Sequence, residues 1–212
     1  MKHLLILGAG GYAVDIYEYA KESVGFGIEF DIKGFLDPDK DALKEFPEYP
    51  QVIAFEDEYE IQEDDVFICA LGDVSIKKKC IEKLLNRGAR FINLIHKTAY
   101  VAPSCQLGEG NLIQPYVRIG SGARVGFYNT IQTNTIIAHN CLIGDYNRID
   151  CNVMCVGGIS IGNGVTIHTG AVINHKVMLH NNSIVAALSF VIRSVKEGTT
   201  VIGNPAKKVS FE

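Results

Sequence analysis

The 212-residue sequence contains no tryptophan, only three methionines and no long apolar run. A membrane-spanning helix needs roughly 20 consecutive apolar residues, so we expect no transmembrane segment. Neither sign of charge is in large excess, because the sequence has 20 Lys and Arg and 24 Asp and Glu, which gives a net charge of −4. Contacts with a nucleic-acid backbone require a basic surface, and this balance therefore argues against a nucleic-acid-binding protein.

Paired cysteines and a leader segment are missing as well. The six cysteines form no C-x-x-C pair. The apolar run His3–Leu7 leads into a Gly-rich turn with no cleavage site, which favours a buried strand over a signal peptide. We therefore expect reduced thiols and a cytoplasmic location.

Strand-like and helix-like segments alternate over residues 1–90, which is typical of a small parallel-sheet α/β domain. Ser75 is the candidate cap of the second helix, and the run Lys77–Lys79 is expected on its solvated side. The acidic segment Pro38–Asp65 gives no clear prediction. Strands are predicted at His3–Leu7, Ile32–Leu36, Val66–Leu71 and Arg90–Ile95, and helices at Tyr12–Glu22 and Ser75–Asn86.

A six-residue repeat runs without an insertion from Ile95 to Lys196. It comprises 17 hexads, whose first position is Ile, Val or Leu in 16 and Cys155 in the other, while the fifth is nearly always small or β-branched. Neither a helical nor a strand period gives this pattern, which indicates a parallel β-helix with one hexad on each flat side. Three sides make a coil of 18 residues, so the repeat predicts about 5.7 coils stacked roughly 4.8 Å apart.

This combination resembles the hexapeptide-repeat sugar acetyltransferases, which include N-acetyltransferases of nucleotide-linked 4-amino sugars and the sialic acid O-acetyltransferases. The resemblance implies a Rossmann-like nucleotide-sugar-binding domain at residues 1–92, followed at 93–212 by a left-handed parallel β-helix with a C-terminal tail. It also implies acetyl-CoA as co-substrate, no metal, and a homotrimer with its cleft between adjacent prisms. The matching segments span the whole chain: Gly8–Tyr12, Gly34–Asp37, Phe91–His96, Ile137–Gly144 and Gly203–Ala206.

The glycines at the start lie between a predicted strand and a predicted helix, where a phosphate can approach a helix N-terminus. Asp37 is placed to bind a ribose or a base edge. An NAD site and a Gly-rich turn with only a packing role are both open alternatives. The resemblance implies that a nucleotide sugar contacts Gly10, Gly11, Tyr12, Asp37 and Gly72.

His139 occupies the third position of its hexad, at a corner, so its ring is expected to project outward. Its neighbours 18 residues away are Ser121 below and Gly157 above. Acetylation of an amine needs a proton acceptor and a donor for the developing oxyanion. The resemblance implies that His139 is the general base and that the Gly157 N–H polarises the thioester carbonyl. An ordinary surface histidine is the alternative.

The chain departs from the family at three positions. The residue after the histidine, usually acidic, is Asn140; a second histidine nine residues on, which touches the acetyl carrier in relatives, is Arg148; and the histidine of the glycine loop is Tyr12. An amide orients an imidazole but does not stabilise imidazolium as a carboxylate does. His139 is therefore expected to be a weaker base, and the identity of the base and of the acceptor stays open.

Coenzyme A lies along the prism in the family, and the matching positions are Arg148, Thr169 and Ala187. Thr169 and Ala187 differ by 18 and therefore stack. Arg148 suits a phosphate. Lys207 and Lys208 either meet the nucleotide phosphates or form a solvated tail.

A rival interpretation uses His139, His175 and His180, whose spacing resembles the zinc ligands of gamma-class carbonic anhydrases, where neighbouring subunits complete the site. A non-catalytic nucleotide-sugar-binding protein and a sialic acid O-acetyltransferase are further alternatives. The sequence favours an acetyl-CoA-dependent N-acetyltransferase acting on the 4-amino group of a nucleotide-linked 4-amino-4,6-dideoxysugar, in surface-glycan biosynthesis.

Overall fold

A computed structural model describes residues 1–209 and has two compact units, Met1–Lys97 and a second that begins at Thr98. The first is an α/β unit and the second a parallel β-helix, in the order that the sequence predicts. The predicted domain boundary between residues 92 and 93 lies within the first unit. None of the helices in the described part of the chain is long and apolar enough to cross a membrane.

The first unit is built on a four-stranded parallel sheet with the strand order β3-β2-β1-β4. That order reverses between β1 and β4, and doubly wound sheets bind ligands at the carboxyl ends of their strands beside such a switch point. The neighbouring strands β1 and β4 contribute much of the core, because Leu4–Leu7 and Val66–Ile68 are buried. The elements are β1 (Lys2–Leu7), α1 (Gly11–Lys21), β2 (Phe30–Leu36), β3 (Val52–Ala54), β4 (Asp65–Cys69), α2 (Val74–Leu85) and the short β5 (Leu94–Ile95).

Two expectations about α2 are wrong. Asp73, and not Ser75, caps the helix, because its Oδ1 accepts hydrogen bonds from the N–H groups of the two residues that follow Val74, each at 2.8 Å. Lys77 is buried although it begins a run of three lysines. Residues four and seven positions apart share a helix face, and Lys77 therefore lies with Ile81 and Leu84 on the face that packs inward.

Two further differences concern short strands. The strand β3 lies in the acidic segment Pro38–Asp65, whose structure is not predicted from the sequence. The strand expected at Arg90–Ile95 is reduced to the two residues of β5, with an isolated bridge between Phe91 and Phe67.

The second unit is a parallel β-helix in which the two-residue strands from β6 to β21 pair with strands one coil, 18 residues, away. Six strands on face 1 agree with the predicted number of coils. Face 1 contains β6 (Tyr100–Val101), β9 (Arg118–Ile119), β12 (Ile136–Ile137), β15 (Met154–Cys155), β18 (Val172–Ile173) and β21 (Phe190–Val191). Face 2 contains β7 (Gln106–Leu107), β10 (Arg124–Val125), β13 (Leu142–Ile143), β16 (Ser160–Ile161) and β19 (Met178–Leu179). Face 3 contains β8 (Leu112–Ile113), β11 (Thr130–Ile131), β14 (Arg148–Ile149), β17 (Thr166–Ile167), β20 (Ile184–Val185) and β22 (Thr200–Ile202), with β23 (Lys207–Lys208) antiparallel to β22.

Each hexad position has a distinct structural role. First-position side chains such as Ile131 and Ile149 are fully buried in the prism. Many fourth-position residues take a left-handed backbone at the corner, as in Asn134 (φ 61°) and Asn152 (φ 60°), a conformation that Asn tolerates better than most side chains. The tight corners push the third-position side chains outward, and these are the positions that carry the candidate chemistry.

Candidate active site

His139 follows β12 and stands on the corner between face 1 and face 2, hereafter the His139 corner. Its side chain is exposed, as expected. The ring lies against Gly157, one coil on, so closely that a Cβ built on Gly157 would approach His139 Nε2 to 2.5 Å. Gly157 is itself buried, because the imidazole covers it. The absence of a side chain at this position is therefore what allows the ring its place.

The Gly157 backbone is the predicted second group of the site. Its N–H has no hydrogen-bond partner within residues 1–209. Its carbonyl accepts a hydrogen bond from His175 Nδ1 at 2.5 Å, while the next amide, that of Gly158, donates to the His139 carbonyl. Gly157 is thus fixed on both sides, and its N–H remains available to an oxyanion beside the imidazole.

The side chain of Asn140 contacts the second ring nitrogen of His139. Its Nδ2 lies 3.3 Å from His139 Nδ1, and in this orientation the amide donates to Nδ1 while Nε2 carries the ring proton. A half-turn of the amide presents its oxygen instead, which places the proton on Nδ1 and leaves a lone pair on Nε2. A proton acceptor at Nε2 requires the second arrangement, and an amide does not enforce it as a carboxylate would.

The predicted nucleotide-binding residues lie at the carboxyl edge of the first unit's sheet. A cleft of about 340 Å³ is lined by Gly10 and Gly11 at the N-terminus of α1, together with the aromatic side chains of Phe46 and Tyr49. The backbone N–H groups of the first turn and the helix dipole make this end of α1 suitable for a phosphate. Sequence reasoning missed both aromatic residues, because they lie in the segment that carried no periodic signal.

The other three predicted residues do not line that cleft. Asp37 accepts hydrogen bonds from the N–H groups of Ala9 and Asp39, each at 2.8 Å, so its carboxylate holds the loops after β1 and β2 together. Tyr12 is half-buried in the first turn of α1, and Gly72 follows β4 at the same edge of the sheet. Their contact with a nucleotide stays a prediction.

The predicted carrier-binding residues lie away from His139. Thr169 and Ala187 follow strands of face 3 and are exposed on the corner between face 3 and face 1, hereafter the Thr169 corner. Arg148 lies on face 3, where its guanidinium binds the Asp150 carboxylate. The His139 and Thr169 corners are the two opposite edges of face 1, separated by a six-residue side of roughly 18 Å. A single chain therefore does not bring these groups together.

Lys207 lies in a basic cleft at the C-terminal end of the prism. The cleft has a volume of about 430 Å³ and is also lined by Lys208, Arg193 and Lys196. Four cationic side chains at one cleft suit a polyphosphate or a phosphorylated ribose. Arg193 and Lys196 were not predicted, although Arg193 occupies the same column of third positions as His139.

The zinc interpretation finds little support within one chain. His139 and His175 share the His139 corner two coils apart, but no group of three or more His, Cys, Asp or Glu in residues 1–209 is arranged to hold a metal ion. His180 follows β19 on face 2 and is exposed.

Comparison with known proteins agrees with this architecture. Residues 3–84 match the family described as the PglD N-terminal domain. The acetyltransferase domain of PglB from Neisseria gonorrhoeae is 25% identical, with a TM-score of 0.87 that covers 99% of this chain and 100% of that one. The resemblance to the hexapeptide-repeat sugar acetyltransferases is confirmed. The predicted fold, an α/β domain followed by a left-handed β-helix, is confirmed with it.

Other relatives extend the comparison. PerB from Caulobacter crescentus, solved in complex with CoA and GDP-perosamine, is 25% identical with a TM-score of 0.86, and the match covers 99% of this chain and 98% of PerB. An uncharacterized protein, L142 of Acanthamoeba polyphaga mimivirus, is 30% identical over 124 residues, which are 58% of this chain. The match spans only about a quarter (24%) of the length of that viral protein.

Proposed function

We propose that the chain is an acetyl-CoA-dependent N-acetyltransferase acting on the 4-amino group of a nucleotide-linked 4-amino-4,6-dideoxysugar. The observation that carries this proposal is the exposed His139 ring against Gly157, which puts an imidazole beside a free backbone N–H. The similarity to PerB, whose structure contains CoA and GDP-perosamine, supports the class of substrate.

In the reaction, the sugar amine attacks the thioester carbonyl carbon, so that a C–N bond forms and the C–S bond breaks. His139 Nε2 accepts a proton from the amine, and the Gly157 N–H donates a hydrogen bond to the oxygen that becomes negative in the tetrahedral adduct. Asn140 holds the imidazole and, with its amide oxygen toward Nδ1, leaves Nε2 free to accept. The departing thiolate takes up a proton from solvent, and the products are the amide and CoA.

The first unit binds the nucleotide part of the acceptor. Gly10 and Gly11 offer a helix N-terminus to the diphosphate, and the rings of Phe46 and Tyr49 offer an apolar surface to the base. The carrier side is assigned to Arg148, Thr169 and Ala187, with the phosphates of CoA in the basic cleft of Lys207.

The surface of face 1 supports a homotrimer. The outward side chains of this face are mostly apolar in its upper coils, and exposed apolar patches of this kind mark interfaces. If three copies pack face 1 around a common axis, the His139 corner of one subunit adjoins the Thr169 corner of the next. This packing would bring His139 of one subunit close to acetyl-CoA bound along the Thr169 corner of the next. The apolar side chains are Ile136, Met154, Val156, Val172, Phe190 and Ile192.

A cytoplasmic location fits this assignment. All six cysteines are free, which suits a reducing compartment. The role that we infer is a step in the synthesis of a surface glycan.

Steady-state kinetics test the proposal. The purified chain is assayed with acetyl-CoA and a panel of nucleotide-linked 4-amino sugars, and CoA release is measured. His139→Ala should reduce kcat roughly 10²- to 10⁴-fold, while the exposed His180→Ala serves as the matched control. Acetylation of sialic acid but of no amino sugar would favour the O-acetyltransferase. Binding of a nucleotide sugar without acetyl transfer would favour the non-catalytic nucleotide-sugar-binding protein.

A further inference from the structure

A buried carboxylate on face 3 joins two residues of the carrier side. Asp150 follows β14, and its side chain is only 6% exposed. Its carboxylate accepts hydrogen bonds from Arg148 Nε at 2.6 Å and Arg148 Nη2 at 3.2 Å, and its Oδ2 lies 3.0 Å from His168 Nδ1. His168 is one coil above Asp150, and its side chain is 40% exposed.

This arrangement defines the state of the His168 ring. Because Nδ1 donates to a carboxylate, Nε2 is the nitrogen that faces outward and exchanges protons. A carboxylate in this position orients an imidazole and stabilises the imidazolium that forms during proton transfer. The charged neighbours are Asp150 and Arg148 below, while the next residue above in the column is the uncharged Ala186. His139 differs in this respect, since its Nδ1 faces only the amide of Asn140.

The place of His168 in the fold links it to the acetyl carrier. It directly precedes Thr169, and it lies on the same face as Arg148. Its backbone N–H donates to Val185 of the coil above, so the residue is anchored in the prism wall. A carrier that follows the Thr169 corner would therefore lie beside the partly exposed ring of His168.

The number of proton transfers in the reaction allows a second proton-transfer residue besides His139. A sugar ammonium must lose one proton before it attacks and a second after attack, while the departing thiolate gains one. In the proposed reaction His139 accepts a proton from the amine, and the protonation of the sulfur is not assigned to a residue.

We propose that His168 is a second proton-transfer residue, on the carrier side, and that Asp150 is its positioning residue. As the C–S bond breaks, the imidazolium of His168 gives its Nε2 proton to the sulfur, so that CoA leaves as the thiol, and the ring regains a proton from solvent. This inference rests on the proposed function and adds a residue to it.

The decisive variant is His168→Asn, because its amide still donates to Asp150 and keeps the buried carboxylate paired, but it transfers no proton. We expect kcat to fall about 10²-fold, with the KM for acetyl-CoA changed by less than about twofold. Imidazole added to His168→Ala should restore part of kcat, which a merely structural role would not produce. Asp150→Asn should lower kcat in the same direction, and His180→Ala should match the wild type.

The outcomes separate this inference from the function on which it rests. Wild-type transfer together with an unchanged kcat in His168→Asn overturns the role of His168 alone. A rise in KM without a loss of kcat, or a loss that imidazole does not restore, reduces His168 to a binding or structural residue and also overturns it. Absence of transfer by the wild type with every amino sugar overturns the proposed function first.

Discussion

Gly157→Ala is the sharpest test of the His139 corner. The added methyl group would approach His139 Nε2 to 2.5 Å and Cε1 to 2.7 Å, whereas ordinary contacts to a Cβ begin near 3.4 Å. The ring must therefore move by about 1 Å. Gly157 is not among the glycines with a positive φ, so alanine introduces no backbone strain, and the exposed ring can swing toward solvent.

The expected result is a loss of activity with little loss of stability. A displacement of 1 Å at a reacting group reduces rate by roughly 10²-fold, whereas the free energy of unfolding should change by less than about 1 kcal/mol because only an exposed side chain moves. Initial rates of CoA release give kcat, and thermal or urea unfolding gives stability.

Gly158→Ala is the matched control, since it adds the same methyl group one residue later. Its Cβ would meet nothing closer than His175 Cε1 at 3.7 Å, but its φ is +73°, a conformation that costs alanine about 1 kcal/mol. We therefore expect lower stability and unchanged kcat. Full kcat in Gly157→Ala, or equal losses of kcat in both variants, would refute the assignment of His139 and Gly157 as one site.

Two further predictions concern other parts of the chain. Asp65 is buried and bonded to Lys33, Gln62 and Tyr59; burial raises the pKa of Asp65, but these hydrogen bonds, led by that from Lys33, outweigh it and hold the pKa below its ordinary value. Asp65→Asn should therefore cost about 2 kcal/mol of unfolding free energy at neutral pH, and urea titrations should show that difference shrinking as the pH falls below about 4 and through the depressed pKa, where the wild type loses its charge. Met154→Glu puts a charge on face 1 and should convert a trimer to monomers in light scattering while the coils stay folded; a trimer that persists would place the interface elsewhere.

The β-helix could be predicted because its signal is repetitive. Each side must place one aliphatic side chain in a narrow prism, so residues such as Ile131 and Ile149 recur at fixed intervals. A single missing hexad would therefore be visible as a break in the repeat. The exposed corner of His139 and its contact with Gly157 followed from the same count of 18. In a β-helix, contacts between residues of neighbouring coils can thus be predicted from a fixed sequence spacing of 18.

Features outside the hexad pattern could not be predicted from a fixed spacing. Lys77 was misplaced because three adjacent lysines suggest solvent, whereas helix geometry puts only some of them there. Phe46 and Tyr49 line the cleft beside Gly10 and Gly11, and they lie in a segment without periodicity. The spacing of 18 residues predicts that Asp150 and His168 stack. Only the folded structure shows that the carboxylate is buried and bonded to both neighbours.

Asn140 is the departure from the family that can be reversed by a single atom exchange. It has a left-handed φ of 56°, which Asp tolerates as Asn does, so Asn140→Asp should leave the corner intact. The carboxylate would replace an amide 3.3 Å from His139 Nδ1, where it can only accept; it therefore selects the Nδ1–H tautomer and stabilises the imidazolium. An exposed pair of this kind contributes up to about 1 kcal/mol, so we expect kcat to rise by up to about fivefold. Should kcat fall in a variant that unfolds like the wild type, His139 would not be accepting a proton through Nε2, and the acid–base chemistry would have to lie with His168.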